Sequence, residues 1–332
     1  MRYRLLGRTG LKVSELCLGT MTFGGGKTIG GIDQATATAM MDRALESGIN
    51  FVDTADVYSG TEAESMVGRA LGKRRKDVVL ATKVRLGTGK GPNDAGLSRA
   101  HIMDAVEGSL RRLQTDTIDL YQLHIVDALT PLDESLRALE DLVRSGKVRY
   151  IGCCNYPAWQ IMKALAISDA HGWVRYAAVQ AHYSLAERGL EREIAPLLRD
   201  QKLGLMVWSP LSGGLLTGKF TRDGQGPKGA RRTSFDFPPV NVERAFDVID
   251  AMREIAAAHG ASVAQIALAW LLHQDVVTSV ILGARRVDQL EDNLQSTNVH
   301  LSQEDLARLD TASALAPEYP GWMLAEPWDD RM

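Results

Sequence analysis

The stretch Val78-Val79-Leu80-Ala81-Thr82-Lys83-Val84 is apolar over its first four residues and carries a lysine one position before its end. A strand with one wet face alternates apolar and polar residues. A strand covered on both faces does not, so this run reads as a parallel strand between two packed layers. Seven other β-rich runs share the pattern: Glu15–Gly19, Asn50–Asp53, Ile118–His124, Val148–Cys153, Ala177–His182, Gly204–Trp208 and Thr278–Leu282. Between them apolar residues recur at helical spacing over 34–47, 62–71, 99–113, 132–145, 158–171, 190–201, 241–259, 263–273 and 287–297. Eight strand-helix units in one chain predict an α/β fold closed into a (β/α)8 TIM barrel. A doubly wound sheet is the competing architecture, and no Gly-x-Gly-x-x-Gly fingerprint supports it.

Helix ends carry their own chemistry. Ser98 is a candidate N-cap, and Gly48, Gly146, Gly172 and Gly260 follow helical patterns where a left-handed residue is favoured. Residues 4–13 read as a hairpin ahead of the first barrel strand, covering the barrel bottom. The connection 209–240 after the seventh barrel strand is long, glycine-rich and basic, holding Lys219, Arg222, Lys228, Arg231 and Arg232; loops of this length usually serve a function. Residues 303–332 form a C-terminal helix and tail, and 1–332 read as a single barrel domain.

The 332 residues carry a formal charge of −3, and 45% are hydrophobic against 24% charged, the balance of an ordinary globular chain. That charge argues against a nucleic-acid partner. The longest helical apolar run, Ile266–Leu272, is far short of the ~20 residues of a membrane span, and no signal region precedes Arg8. Three cysteines, two of them adjacent, suit a reducing, cytoplasmic compartment better than a disulfide scaffold.

Gly24-Gly25-Gly26-Lys27-Thr28 imitates a phosphate-binding loop. Met21 stands where the first glycine of that motif belongs, and the helical pattern opens only near Asp33, so a nucleotide hydrolase is not expected. The histidines and cysteines show no zinc spacing, and no metal is expected.

In a parallel barrel the reactive groups lie at the C-terminal strand ends. Those positions hold Asp53, Tyr58 in the loop that follows, Lys83 and His124. Each has an ordinary alternative as a turn cap, rim packing, a solvated lysine or a core histidine. Their coincidence at three consecutive strand ends favours chemistry.

The sequence resembles the aldo-keto reductase family. The likeness rests on Leu18-Gly19-Thr20, Asn50–Tyr58, Thr82-Lys83, Asp119–His124, Gly146–Gly152, Cys154-Asn155, Gln180, Trp208–Leu211 and Gln289–Asn293, in order along nearly the whole chain. The resemblance implies NADPH-dependent reduction of aldehydes or ketones, with Asp53, Tyr58, Lys83 and His124 as the catalytic set. Tyr58 would donate the proton, with its pKa lowered by Lys83; Asp53 would hold the lysine, and His124 would orient the carbonyl. It further implies that Cys154, Asn155 and Gln180 meet the nicotinamide carboxamide and Trp208 its ring, with Thr20, Met21 and Asp53 beside them. Ser209, Pro210, Leu211, Gly213, Leu215, Lys219 and Arg222 would line the pyrophosphate. Gly283, Arg285, Gln289, Asp292 and Asn293 would hold the adenosine end, the arginine favouring NADPH over NADH. Phe23, Tyr58, His124 and Ile125 are the expected substrate-pocket residues, with Met21, Thr22, Tyr319, Trp322 and Trp328 as further wall candidates. Cys154 stands where many relatives carry serine, and Ile125-Val126-Asp127 where they often carry Trp-Pro. Potassium-channel β subunits share the barrel and bind the cofactor, so a regulatory binding protein is the alternative. A small carbonyl compound is the expected partner, without nucleic acid or membrane; the oligomeric state is open.

Overall fold

The computed structural model describes residues 1–25 and 31–324. Eight parallel strands close a barrel in the order β10-β3-β4-β5-β6-β7-β8-β9: β3 (Leu16–Gly19), β4 (Phe51–Asp53), β5 (Val79–Val84), β6 (Ile118–Leu123), β7 (Val148–Cys154), β8 (Tyr176–His182), β9 (Gly204–Trp208) and β10 (Val277–Leu282). An antiparallel hairpin, β1 (Tyr3–Leu5) and β2 (Lys12–Ser14), precedes it. The outer ring is α1 (Gln34–Glu46), α2 (Glu62–Leu71), α3 (Arg99–Leu113), α4 (Leu132–Arg144), α5 (Ala158–His171), α6 (Ile194–Gln201), α7 (Val242–His259), α8 (Val263–His273) and α9 (Val287–Leu294). Then follow α10 (Gln303–Ser313) and the short α11 (Gly321–Leu324).

Successive strand residues point to opposite faces, and both faces here are buried. Outward residues such as Val52, Leu80, Tyr121, Val179 and Leu205 join the layer between strands and helices, which makes the runs apolar throughout. Inward residues form a separate cluster: Cys17, Phe51, Val79, Ala81, Leu120, Ala178 and Met206, closed by Leu6 and Val13 of the hairpin segment. The hairpin thus plugs the N-terminal end of the barrel. Gly7 is tied to this seat, because a side chain there would lie 2.4 Å from the Ala177 carbonyl.

Two expected helices differ from the sequence reading. Residues 190–201 are not one helix but a 3-10 turn, Gly189–Glu191, followed by α6. Pro196 explains the break: its ring excludes a helical carbonyl four residues earlier, and Glu193 leaves the helical region at φ −129°. The last barrel helix ends at Leu294 and tightens into a 3-10 turn, Gln295–Asn298. Among the described residues no single helix is long and apolar enough to cross a membrane. The first turn of α1 opens at Gln34 under an Asp33 cap, well after the glycine run. Gly26, Lys27, Thr28 and Trp328 lie outside the described residues.

Candidate active site

Four inward rows turn polar at their tops: Asp53 above Phe51, Lys83 above Ala81, Gln122 above Leu120 and Gln180 above Ala178. These groups meet in the barrel lumen. Lys83 Nζ donates to Asp53 Oδ1 at 2.5 Å, to the Thr54 carbonyl at 2.7 Å and to the Tyr58 hydroxyl at 3.1 Å. Those three bonds use every proton of the ammonium, which is why a fully buried lysine is tolerated here. The other oxygen of Asp53 accepts from Gln180 at 2.9 Å and from Gln122 at 3.2 Å. His124 follows β6, where its N–H donates to the Val84 carbonyl at 2.9 Å. Its ring stands edge-on to Tyr58, with centroids 5.8 Å apart and planes at 75°. The four catalytic candidates are therefore one constellation.

Burial pushes the Lys83 ammonium down, but Asp53, Tyr58 and the hydrogen bond to Asp53 outweigh it and hold the charge in place. Burial also pushes the Tyr58 phenol up, and Lys83 offsets only part of that rise. The expected lowering of this pKa by Lys83 is therefore not met, because desolvation wins and reverses the net direction. His124 is lowered to about 3 by burial and then by Lys83 and Arg85, so it is a neutral imidazole at ordinary pH. Among the described residues its buried Nδ1 has no partner. The arrangement offers a protonated phenol and a neutral ring nitrogen at the open end of the barrel.

The expected cofactor residues divide. Asn155 follows β7 at φ 57°; it donates to the His124 carbonyl at 3.0 Å and accepts from the Trp208 indole at 2.9 Å. Gln180 and Cys154 face inward instead of toward an open cleft. The Cys154 thiol is fully buried and donates to Gln122 Oε1 at 3.5 Å, and Gln180 spends its amide on Asp53. Trp208 was expected to be free to stack on a nicotinamide. Its ring is already flanked by His182 at 4.7 Å and by Phe237, from the long loop, at 5.9 Å. Thr20 is buried with its hydroxyl on the Asp53 carbonyl, and Met21 lies half-buried in the next turn.

Ser209, Pro210, Leu211 and Leu215 form the tight turn after β9, where Ser209 Oγ accepts from the Gly213 N–H at 3.1 Å. Gly213 is obligatory: its φ is 67°, and a Cβ would sit 2.5 Å from the Phe237 carbonyl. Lys219, Arg231 and Arg285 gather without carboxylate partners among the described residues. Burial, then repulsion from Arg285 and Arg286, holds Lys219 below its usual range, and burial with Arg232 and Arg285 does the same for Arg231. Three cations left unpaired together suit a polyanion, so this end fits a dinucleotide phosphate. Arg222 does not join them; it is paired with Asp247 and Asp250 on α7 at 2.9 and 2.7 Å. Gln289 accepts from the Arg285 N–H at 3.0 Å, and Gly283 is exposed in front of it. Asp292 is engaged by Ser262 at 2.9 Å and Gln265 at 2.6 Å, which anchors α9 to the start of α8, while Asn293 is buried.

Among pocket candidates, Ile125 is 39% exposed beside His124, but Phe23 is fully buried in the main core and is packing, not an open wall. Thr22 bonds the Ala284 carbonyl at 2.8 Å, and Tyr319 and Trp322 are exposed against one another. Sequence reasoning passed over Gln122, whose signal was a lone amide in the apolar run Leu120-Tyr121-Gln122-Leu123.

The sequence profile described as the Aldo/keto reductase family matches residues 15–314. The chain belongs to that family. Membership makes this aldo/keto reductase an oxidoreductase. It is 43% identical over 320 residues to a Bacillus subtilis protein named an uncharacterized oxidoreductase, spanning 93% of this chain and 95% of that one. It is 37% identical over 308 residues to a rice protein named a probable voltage-gated potassium channel subunit beta, spanning 90% and 92%. An Aspergillus flavus norsolorinic acid reductase is 34% identical over 325 residues, spanning 94% of this chain and 80% of that one.

Proposed function

We propose that this aldo/keto reductase reduces aldehydes or ketones to alcohols with NADPH, using Tyr58 as the proton donor. The observation that carries the reading is the Lys83 ammonium, shared between Asp53 at 2.5 Å and the Tyr58 hydroxyl at 3.1 Å. When bound, the nicotinamide supplies the hydride. Tyr58 holds its proton because burial raises its pKa, and it yields that proton to the alkoxide oxygen as negative charge grows there. Lys83 then stabilises the phenolate that remains, and Asp53 keeps the ammonium aimed. Neutral His124 hydrogen-bonds the carbonyl oxygen and polarises it.

Lys219, Arg231 and Arg285 support the preference for NADPH, since a 2′-phosphate rewards charged donors that lack carboxylate partners among the described residues. The three free, buried thiols suit a reducing, cytoplasmic setting. Loss of NADPH absorbance over a panel of neutral aldehydes, with Tyr58→Phe as control, tests the reading. A second reading, a cofactor-binding channel subunit, is favoured by the rice relative. Cofactor binding without turnover of any carbonyl would establish that reading instead.

A further inference from the structure

Arg85 follows β5 directly, two residues beyond Lys83, and leaves the strand at φ 144°, a conformation that side chains other than glycine avoid. Its own backbone is anchored, because its carbonyl accepts from the Gly96 N–H at 2.8 Å. The preceding carbonyl, of Val84, takes the His124 N–H at 2.9 Å, so Arg85 sits beside the histidine proposed to hold the reacting oxygen. The side chain is half-buried. Among the described residues its buried Nε has no hydrogen-bond partner and no carboxylate lies within ion-pair distance. The acid that faces it, Asp127, is spent elsewhere: it accepts from the Leu97 N–H at 2.7 Å, the Leu129 N–H at 3.0 Å and the Thr130 hydroxyl at 2.7 Å. His124 and Tyr156 also lie within electrostatic reach of Arg85, and neither is an anion.

A strained backbone that places an arginine without a carboxylate partner among the described residues beside His124 has an evident use. We infer that Arg85 sets specificity by receiving a carboxylate carried on the same molecule as the reacting carbonyl, so that the preferred substrates are short aldehyde or keto acids. A carboxylate would pair with this guanidinium through the two-point fork that its N–H groups offer. It would also place the carbonyl against His124 and Tyr58, converting remote binding into orientation. The inference rests on the carbonyl-reductase reading above.

The test compares 4-oxobutanoate with its methyl ester, which has the same chain and the same aldehyde but no charge. We expect the wild-type enzyme to favour the acid in kcat/KM by about ten- to a hundredfold, the range for one charge-assisted pair. Arg85→Gln and Arg85→Lys should collapse that ratio toward unity, chiefly through the KM of the acid. Arg85→Gly guards against misfolding, because its backbone is at ease at φ 144°, and it should lose the ratio equally. An acid-to-ester ratio unchanged in these variants, or a wild-type enzyme indifferent to the charge, overturns the inference. A second readout needs no turnover: succinate, but not succinamide, should raise the melting temperature of the wild-type protein, and Arg85→Gly should abolish that rise. An equal rise in the variant also overturns it. Failure to reduce even the neutral ester counts against the reductase reading alone, and the succinate arm still decides the role of Arg85.

Discussion

Gln180 donates to Asp53 Oδ2 at 2.9 Å, so the carboxylate that grips Lys83 with one oxygen is itself gripped by the other. Family resemblance assigns Gln180 to the nicotinamide carboxamide; this bond also suits it to positioning the Asp53–Lys83 pair. The two roles separate kinetically. We expect Gln180→Met to lower kcat about tenfold, with little change in KM for NADPH, because a loosened Asp53 misaims Lys83. A rise in KM alone would return Gln180 to the cofactor.

Tyr58 is the group whose removal should be least tolerated. Tyr58→Phe keeps the ring against His124 and deletes only the hydroxyl bonded to Lys83. We expect carbonyl reduction to fall by about 10² to 10⁴, the usual contribution of a positioned acid. NADPH affinity, read by fluorescence titration, should stay within a factor of about three. Full activity in this variant would exclude the phenol as proton donor.

The pH profile follows from two opposite displacements. His124 titrates near 3, so it stays neutral throughout the working range, and Tyr58 is pushed above its usual value, so it keeps its proton into the basic range. Reduction should therefore show no histidine limb between pH 5 and 8. Its decline should come only at high pH, as the phenol ionises. The reverse oxidation needs the phenolate and should rise over that basic range. Initial rates in both directions across this range test the assignment.

A second titration concerns stability rather than rate. Asp56 is buried two residues before Tyr58, among the described residues neither of its carboxylate oxygens has a hydrogen-bond partner, and burial with nearby Glu64 raises it to about 7. A raised acid binds its proton more tightly in the folded chain, so folding loses stability as pH climbs from the unfolded value near 4 toward 7. Asp56→Asn should remove that dependence. We expect the variant to gain roughly 2 to 4 kcal/mol over the wild-type protein between pH 5 and 8, measured as urea midpoints at both pH values.

The basic loop offers a paired contrast. Arg222 is satisfied by Asp247 and Asp250, whereas among the described residues Arg285 has only the Gly229 carbonyl for its guanidinium, at 3.0 Å. Arg285→Ala should raise the KM for NADPH about tenfold and narrow its margin over NADH. Arg222→Ala should alter neither. Equal effects would mean that the loop binds by its summed charge and not through particular side chains.

These residues also mark what a sequence can convey. The strands of the barrel were legible because both of their faces are buried, which leaves apolar runs that no amphipathic helix produces. Their ends drifted by a residue, as at Val277 and Cys154, because ladder pairing and not composition decides where a strand stops. Asp53, Lys83 and His124 were legible as titratable side chains placed where the barrel opens. Gln122 and Arg85 were not, since their significance is relational: one completes a carboxylate 69 positions away, and the other stands out by a backbone angle and a missing partner. Arg222 misled for the converse reason. Its carboxylates lie on a helix that the linear sequence leaves 25 residues distant.

The plug at the floor of the barrel bears on how the chain is made. Arg4 donates to the Leu272 carbonyl at 2.6 Å and to that of Val277, and Ser279 donates to the Ser14 carbonyl at 2.8 Å. These partners lie up to 273 residues downstream. At ordinary rates of translation, the hairpin segment waits roughly ten seconds to a minute for its seat to be synthesised. Through that interval Leu6 and Val13 have no interior to enter, so the nascent chain must carry its own stopper unseated until the eighth strand arrives to close the ring.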